Sequence, residues 1–144
     1  MKYITRAHVH VDRVACPWLI KRFVDSKAEF IFTANELVKE VAEKENAIPF
    51  DIKDVELGHH GDECTFIAIM KKYDLKDPAL LELSKVVNAA DTDNLDKNKF
   101  AYGLEAIARG YSIMYPDDYE NLEKQFLVYD AMYAYFKLEL AKNI

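Results

Sequence analysis

Tyr3-Ile4-Thr5-Arg6-Ala7-His8-Val9-His10-Val11 alternates, and the reading of that alternation decides the fold class. Tyr3, Thr5, Ala7, Val9 and Val11 fall at odd positions, while Arg6, His8, His10 and then Asp12 fall at even ones. Period two is the signature of a strand with one face on a core. A strand over Tyr3–Val11 is therefore expected, with those four polar groups side by side on its other face. Two histidines at i and i+2 of a strand point the same way and can chelate one ion. Asp12 to Cys16 reads as a turn, and Pro17 suits the first position of a helix, where its missing N–H costs nothing. Trp18, Leu19, Phe23 and Val24 would pack that helix down. Its free amino-terminal amides, with Arg13 just ahead, would form an anion pocket.

Outward from there, Ala28–Thr33 is a second short strand candidate, followed by Asn35 as a cap for a helix carrying Leu37, Val38, Val41 and Ala42. Asp62 is a cap candidate for a helix over Cys64–Tyr73, and Asp77-Pro78 opens a further helix ending near Ala90. Phe100–Met114 reads as another, and Asp117 with Glu120 has capping-box spacing ahead of a last helix from Tyr119 to about Lys142. That helix bears Phe126, Tyr129, Tyr133, Tyr135 and Phe136 almost all round. It is either central to the core or shared with a second copy of the chain, a homodimer. The total is five or six helices with a small sheet of two or three strands, a helix-rich α+β class. With 144 residues and no linker or repeat, a single domain over 1–144 is expected.

The net charge is −6, which disfavours general nucleic-acid binding. Basic groups are nonetheless concentrated early: Met1 to Arg22 holds five Lys and Arg against one Asp, an excess that suits a small anion. The two cysteines form neither a zinc-ribbon spacing nor a disulfide framework, and free thiols in a reducing cytosol are the plain reading. Cys16, ahead of a helix starting at Pro17, would have a lowered pKa. No secretory leader and no membrane span is expected, so a cytoplasmic location follows.

The chemistry-bearing stretch is Gly58-His59-His60-Gly61-Asp62-Glu63-Cys64, with two of the four histidines in the chain. His8 and His10 are the other two, and three of the four arginines, Arg6, Arg13 and Arg22, lie near them. Residues 5–22 and 58–64 are expected to meet in one polar site. The metal-ligand candidates, not all at once, are His8, His10, His59, His60, Asp62 and Asp91, a mixed shell suited to zinc, iron or manganese. Asp91-Thr92-Asp93, at the end of a helix, supplies carboxylates within reach. A metal-free site in which imidazoles and arginines hold an oxyanion directly is the alternative. No G-x-S-x-G elbow, phosphate-cradling loop or dinucleotide fingerprint is present, so no nucleotide cofactor is expected.

Thr5-Arg6, the string His10-Val11-Asp12-Arg13-Val14-Ala15-Cys16-Pro17-Trp18-Leu19-Ile20, then Pro49-Phe50-Asp51 and Glu56-Leu57-Gly58-His59-His60-Gly61-Asp62 resemble the carboxy-terminal domain of chromate-resistance proteins of the ChrB type. The similarity runs through Asp91-Thr92. In that family the domain often follows an amino-terminal DNA-binding region, and the whole resembles a chromate-responsive regulator. Here the chain begins with the domain itself, so no direct nucleic-acid binding is expected. The resemblance carries a ligand-responsive role onto Arg6, Arg13, His59 and His60, with a small oxyanion such as chromate as the partner. Binding or sensing of an oxyanion, with or without a metal ion, is the first functional expectation. A metal-dependent enzyme of redox or hydrolytic type is the second.

Overall fold

A computed structural model describes residues 1–142. Among them are three strands, β1 (Lys2–Arg6), β2 (Glu29–Thr33) and β3 (Ile48–Pro49), and six α-helices: α1 (Asp12–Phe23), α2 (Val38–Glu45), α3 (Thr65–Lys72), α4 (Pro78–Asp91), α5 (Ala101–Met114) and α6 (Asp118–Lys142). The helix-rich α+β class expected from the sequence is the one found. Among the described residues no helix is long and apolar enough to cross a membrane.

The sheet is parallel, in the order β2-β1-β3, with Lys2 opposite Glu29 and Tyr3 opposite both Phe30 and Ile48. Parallel neighbours need crossover connections, and right-handed crossovers leaving in opposite directions put α1 and α2 on opposite faces. Packing agrees: Ile4 meets Val38, Ala42 and Ala47 on the α2 side, whereas Tyr3 joins Trp18, Phe50, Phe66 and Leu80 in the main core on the other. β1 is thus the central strand, and Tyr3, Ile4 and Thr5 are all fully buried.

This corrects two expectations. The alternation from Tyr3 does not run to Val11 as a half-exposed strand, because the ladder ends with Ala7 N–H donating to Thr33 O at 2.8 Å. β2 offers no further partner, so the chain turns through His8 at φ 66°. The N–H groups of His8 and Val9 donate instead to the Asp118 carboxylate at 3.0 and 2.9 Å, and Ser112 Oγ donates to Val9 O at 3.2 Å. The backbone groups a longer strand would have offered to the sheet are taken up by α5 and α6. Secondly, α1 begins at Asp12, five residues ahead of Pro17, which lies inside the helix. Val14 and Ala15 N–H close the first turn on Val11 O, and Val11, Val14, Ala15 and Cys16 are all buried, so apolar contact carries the helix past the proline. Asp12 is therefore a helical residue, not a position on a strand face.

The helix starts at Asp77 and Asp117 follow the local rules. Asp77 Oδ1 accepts from Ala79 and Leu80 N–H at 2.8 and 3.4 Å. Asp117 Oδ1 accepts from Tyr119 and Glu120 N–H at 2.8 and 3.2 Å. Asp62 does not cap α3: it is exposed, and the residue at the cap is Cys64. In α6, Tyr129 and Phe136 are buried, Phe126 and Tyr133 are half-buried against the core, and Leu127 and Leu138 face outward.

Candidate functional site

Ligands of open parallel sheets sit beyond the carboxyl ends of the strands. The residues at or just beyond those ends here are Arg6, the last of β1, Asn35 and Glu36 after β2, and Asp51 after β3. They line one cavity of about 720 Å³ together with Lys39, Ile52, Lys53, Asp54 and His59.

Local geometry brings the Gly58 stretch to it. Asp51, at φ 52°, turns the chain into a loop that returns on itself, with Asp51 N–H donating to Leu57 O at 2.8 Å. Gly58 then passes so close that a Cβ there would lie 2.9 Å from Ile52 O, which only glycine avoids. His59 follows and points back at three carboxylates: its Nε2 is 2.8 Å from Asp91 Oδ2, 3.4 Å from Asp51 Oδ1 and 3.7 Å from Asp12 Oδ2. One ligand atom from each of Asp12, Asp51, His59 and Asp91 lies within 4.8 Å of all the others. The three carboxylates are 0%, 4% and 15% exposed in that order, and His59 is 42% exposed at the mouth.

Each carboxylate arrives from a different part of the chain and is held by donors from others. Asp12 Oδ2 accepts from Thr65 N–H at 2.8 Å, and Oδ1 from Phe66 N–H at 3.2 Å and Cys16 Sγ–H at 3.3 Å. Two of the free amides at the start of α3 are thus satisfied by a side chain of α1. Thr65 Oγ1 donates to Asp51 Oδ1 at 2.8 Å, and Arg13 Nη1 to Asp51 Oδ2 at 3.3 Å. Asp91, the last residue of α4, accepts from Asp12 N–H at 3.4 Å. A carboxylate oxygen has two lone pairs, so after these bonds every one of the three carboxylates still has acceptor capacity facing the common centre.

The arrangement is electrostatically unfavourable by itself. Burial, then the charges of Asp91 and Asp51, hold the Asp12 carboxyl well above the usual range. Burial, then the charge of Asp51, also raises the Asp91 carboxyl, which sits at the negative end of a helix dipole. His59 is pushed up to about 9 by hydrogen bonding to Asp51 first, then by the charges of Asp91, Asp12 and Asp51, against the opposing effect of burial. Cys16 moves up as well, through burial and the adjacent Asp12, and burial likewise raises Cys64. The lowering expected of Cys16 at a helix start does not occur, because that start is five residues earlier and the thiol is enclosed.

Of the residues singled out in the sequence, His59 and Asp91 lie in the cluster, and Arg6 lines the cavity. Arg13 reaches Asp51 and also donates to His8 O at 2.8 Å. His60 Nε2 turns away to Glu56 O at 2.7 Å, His10 Nε2 lies 3.3 Å from Glu105 Oε2, and His8 and Asp62 face outward from the cluster. Asp12 and Asp51 were not among the metal candidates. Both stand inside the strings His10-Val11-Asp12-Arg13 and Pro49-Phe50-Asp51 that carried the family resemblance, and that was the available signal.

The donor set fits a divalent cation: three carboxylates and one imidazole converge, with Arg13 paired to Asp51. Asp12, Asp51, His59 and Asp91 would hold it, and it would supply a positive centre able to polarise a bound oxygen.

The model of the ChrB C-terminal domain matches residues 3–136. The chain is also similar to Protein ChrB of Cupriavidus metallidurans, 32% identical over 136 residues, which is 94% of this chain and 40% of that protein. No solved structure matches. The chain thus spans about 40% of the length of that relative, and by the extent of the family match it belongs to the family of ChrB C-terminal domains.

Proposed function

We propose that this domain binds a small oxyanion such as chromate with the help of a divalent cation held by Asp12, Asp51, His59 and Asp91. Family membership supports a chromate-resistance-type role. The observation that carries the finer reading is the placement of the cluster: Asp51 and His59 belong both to it and to the cavity whose wall bears Arg6, Lys39 and Lys53. An oxyanion entering that cavity meets guanidinium and ammonium groups on one side and a cation on the other, which suits charge-assisted binding of several oxygens.

Elemental analysis of untagged protein, followed by thermal unfolding with Mn²⁺ or Zn²⁺ and then chromate or sulfate, tests it. One cation per chain is expected, lost in Asp51→Asn, with an oxyanion-dependent rise in Tm in loaded wild type and a smaller rise in Arg6→Ala. Less than about a tenth of a cation per chain after loading, together with no oxyanion shift, overturns the reading.

The second reading, a metal-dependent enzyme, is favoured by one feature. His59 is at the mouth, partly exposed and pushed up to about 9, so it is protonated at neutral pH, which suits donating a proton to a bound group.

A further inference from the structure

We propose that the cavity also takes a phosphate monoester with a hydroxylated organic body, its phosphoryl group standing where the small oxyanion binds; this rests on the cation-assisted reading above. Size is the first argument. The cavity holds about 720 Å³. A tetrahedral oxyanion, four oxygens each taking about the 30 Å³ of a liquid water, occupies on the order of 100 Å³. Cavities that enclose organic ligands run from about 300 to 1,000 Å³.

The distribution of groups is the second. Of the four arginines, Arg13 pairs with Asp51, Arg22 with Asp130 and Arg109 with Glu105. Among the described residues Arg6 is the one arginine with no carboxylate within ion-pairing distance, and it lines this cavity. An unengaged guanidinium beside Lys39, Lys53 and a cation is suited to the two or three free oxygens of a phosphoryl group. The remaining wall differs in kind. Ile52 and the aliphatic stems of the lysines offer apolar contact, while Glu36, Asp54 and Asn35 present acceptors. Acidic acceptors repel a second anionic group and accept from hydroxyls, so the body carries hydroxyls and one anionic end.

The test is calorimetric titration of Mn²⁺-loaded full chain with inorganic phosphate, glycerol 3-phosphate and glucose 6-phosphate. At least one ester is expected to bind tenfold or more tightly than inorganic phosphate. Arg6→Ala is expected to weaken ester and inorganic phosphate alike. Asn35→Trp, at an exposed position of the cavity wall, is expected to remove the advantage of the ester and leave inorganic phosphate unchanged. If inorganic phosphate binds as tightly as both esters, or Asn35→Trp weakens neither, the ester proposal is overturned while the cation-assisted reading stands. If Mn²⁺ binds and no phosphate of any kind does, the ester proposal falls and the cation-assisted reading stands on its chromate and sulfate test; if Mn²⁺ itself fails to bind, both fall.

Discussion

Two aspartates do the same local job in opposite ways. Asp77 caps the helix it precedes, bonding the amides two and three residues on. Asp12 bonds the first amides of α3, 53 and 54 residues away, and does so fully buried. The first is a self-contained device of one side chain and the two amides that follow it in the chain. The second welds α1 to α3 and leaves its carboxylate at the centre of the cluster, so that the frame of the fold and the candidate site share an atom pair. Whatever binds there therefore pulls on the starts of two helices at once.

The sharpest way to break the contrast is to truncate both caps. Asp12→Ala leaves two buried amides and a thiol without an acceptor. At about 1–3 kcal/mol for each unsatisfied buried group, a loss of at least 3 kcal/mol in urea denaturation is expected. Asp77→Ala removes a cap at a half-exposed helix start and the partner of Tyr133 Oη, which donates to Asp77 Oδ2 at 2.5 Å. A loss of about 1–2 kcal/mol is expected there. Equal losses would mean that Asp12 acts only as a cap.

The same contrast marks what the sequence could reveal. Asp77-Pro78 and Asp117-x-x-Glu120 were legible because cap and helix are adjacent in the chain. Helices α2 to α6 followed from the spacing of their apolar residues. What escaped was non-local. The sequence places Asp62 where a cap for α3 belongs, and nothing in the neighbourhood says that a carboxylate from 53 residues upstream fills that role. The strand was overextended for a related reason: alternation through Val11 is real, but β2 stops at Thr33, and pairing ends with the partner. The site was half legible. His59 stood out by composition and Asp91 by its place at a helix end, whereas Asp12 and Asp51 look like ordinary turn residues until the parallel sheet brings its carboxyl ends together.

A smaller effect, of opposite sign, separates frame from site. Asp91 bonds the Asp12 amide but sits buried beside like charge at the wrong end of a helix. Asp91→Asn keeps the shape and removes the charge. It is expected to stabilise the cation-free protein by about 1 kcal/mol, a rise of about 2–4 °C in Tm, while abolishing stabilisation by Mn²⁺. A fall in Tm without cation would show that the carboxylates are not in net repulsion.

The pH dependence has a definite sign. His59 is raised from 6.5 to about 9, so the stability it contributes is fully present below pH 6.5 and is lost as pH rises towards 9. Asp12 and Asp91, also raised, lose stability as pH climbs above their ordinary 3.8. Both slopes run downward with pH. Denaturant midpoints of the cation-free protein are expected to fall between pH 6.5 and 9, and His59→Gln to flatten that part of the curve. With saturating Mn²⁺ the slope is expected to reverse, because the cation takes the place of the protons. A rising midpoint without cation over that interval would sink the assignment of His59 as the positive partner of the cluster.

The two histidine pairs give the smallest expected effect and the cleanest control. His8 stands in a left-handed turn whose backbone N–H, not its ring, is held by Asp118. Asparagine tolerates that conformation as well as histidine does, so His8→Asn is expected to change stability by less than about 0.5 kcal/mol. Mn²⁺ binding should be unaltered. His59→Asn is expected to lose the cation, since the replacement is too short to reach the centre that three carboxylates surround. If His8→Asn also lost it, the first pair would have to reach the cation by a rearrangement of the chain between β1 and α1, and the partition of the histidines into one ligand and three structural residues would be wrong.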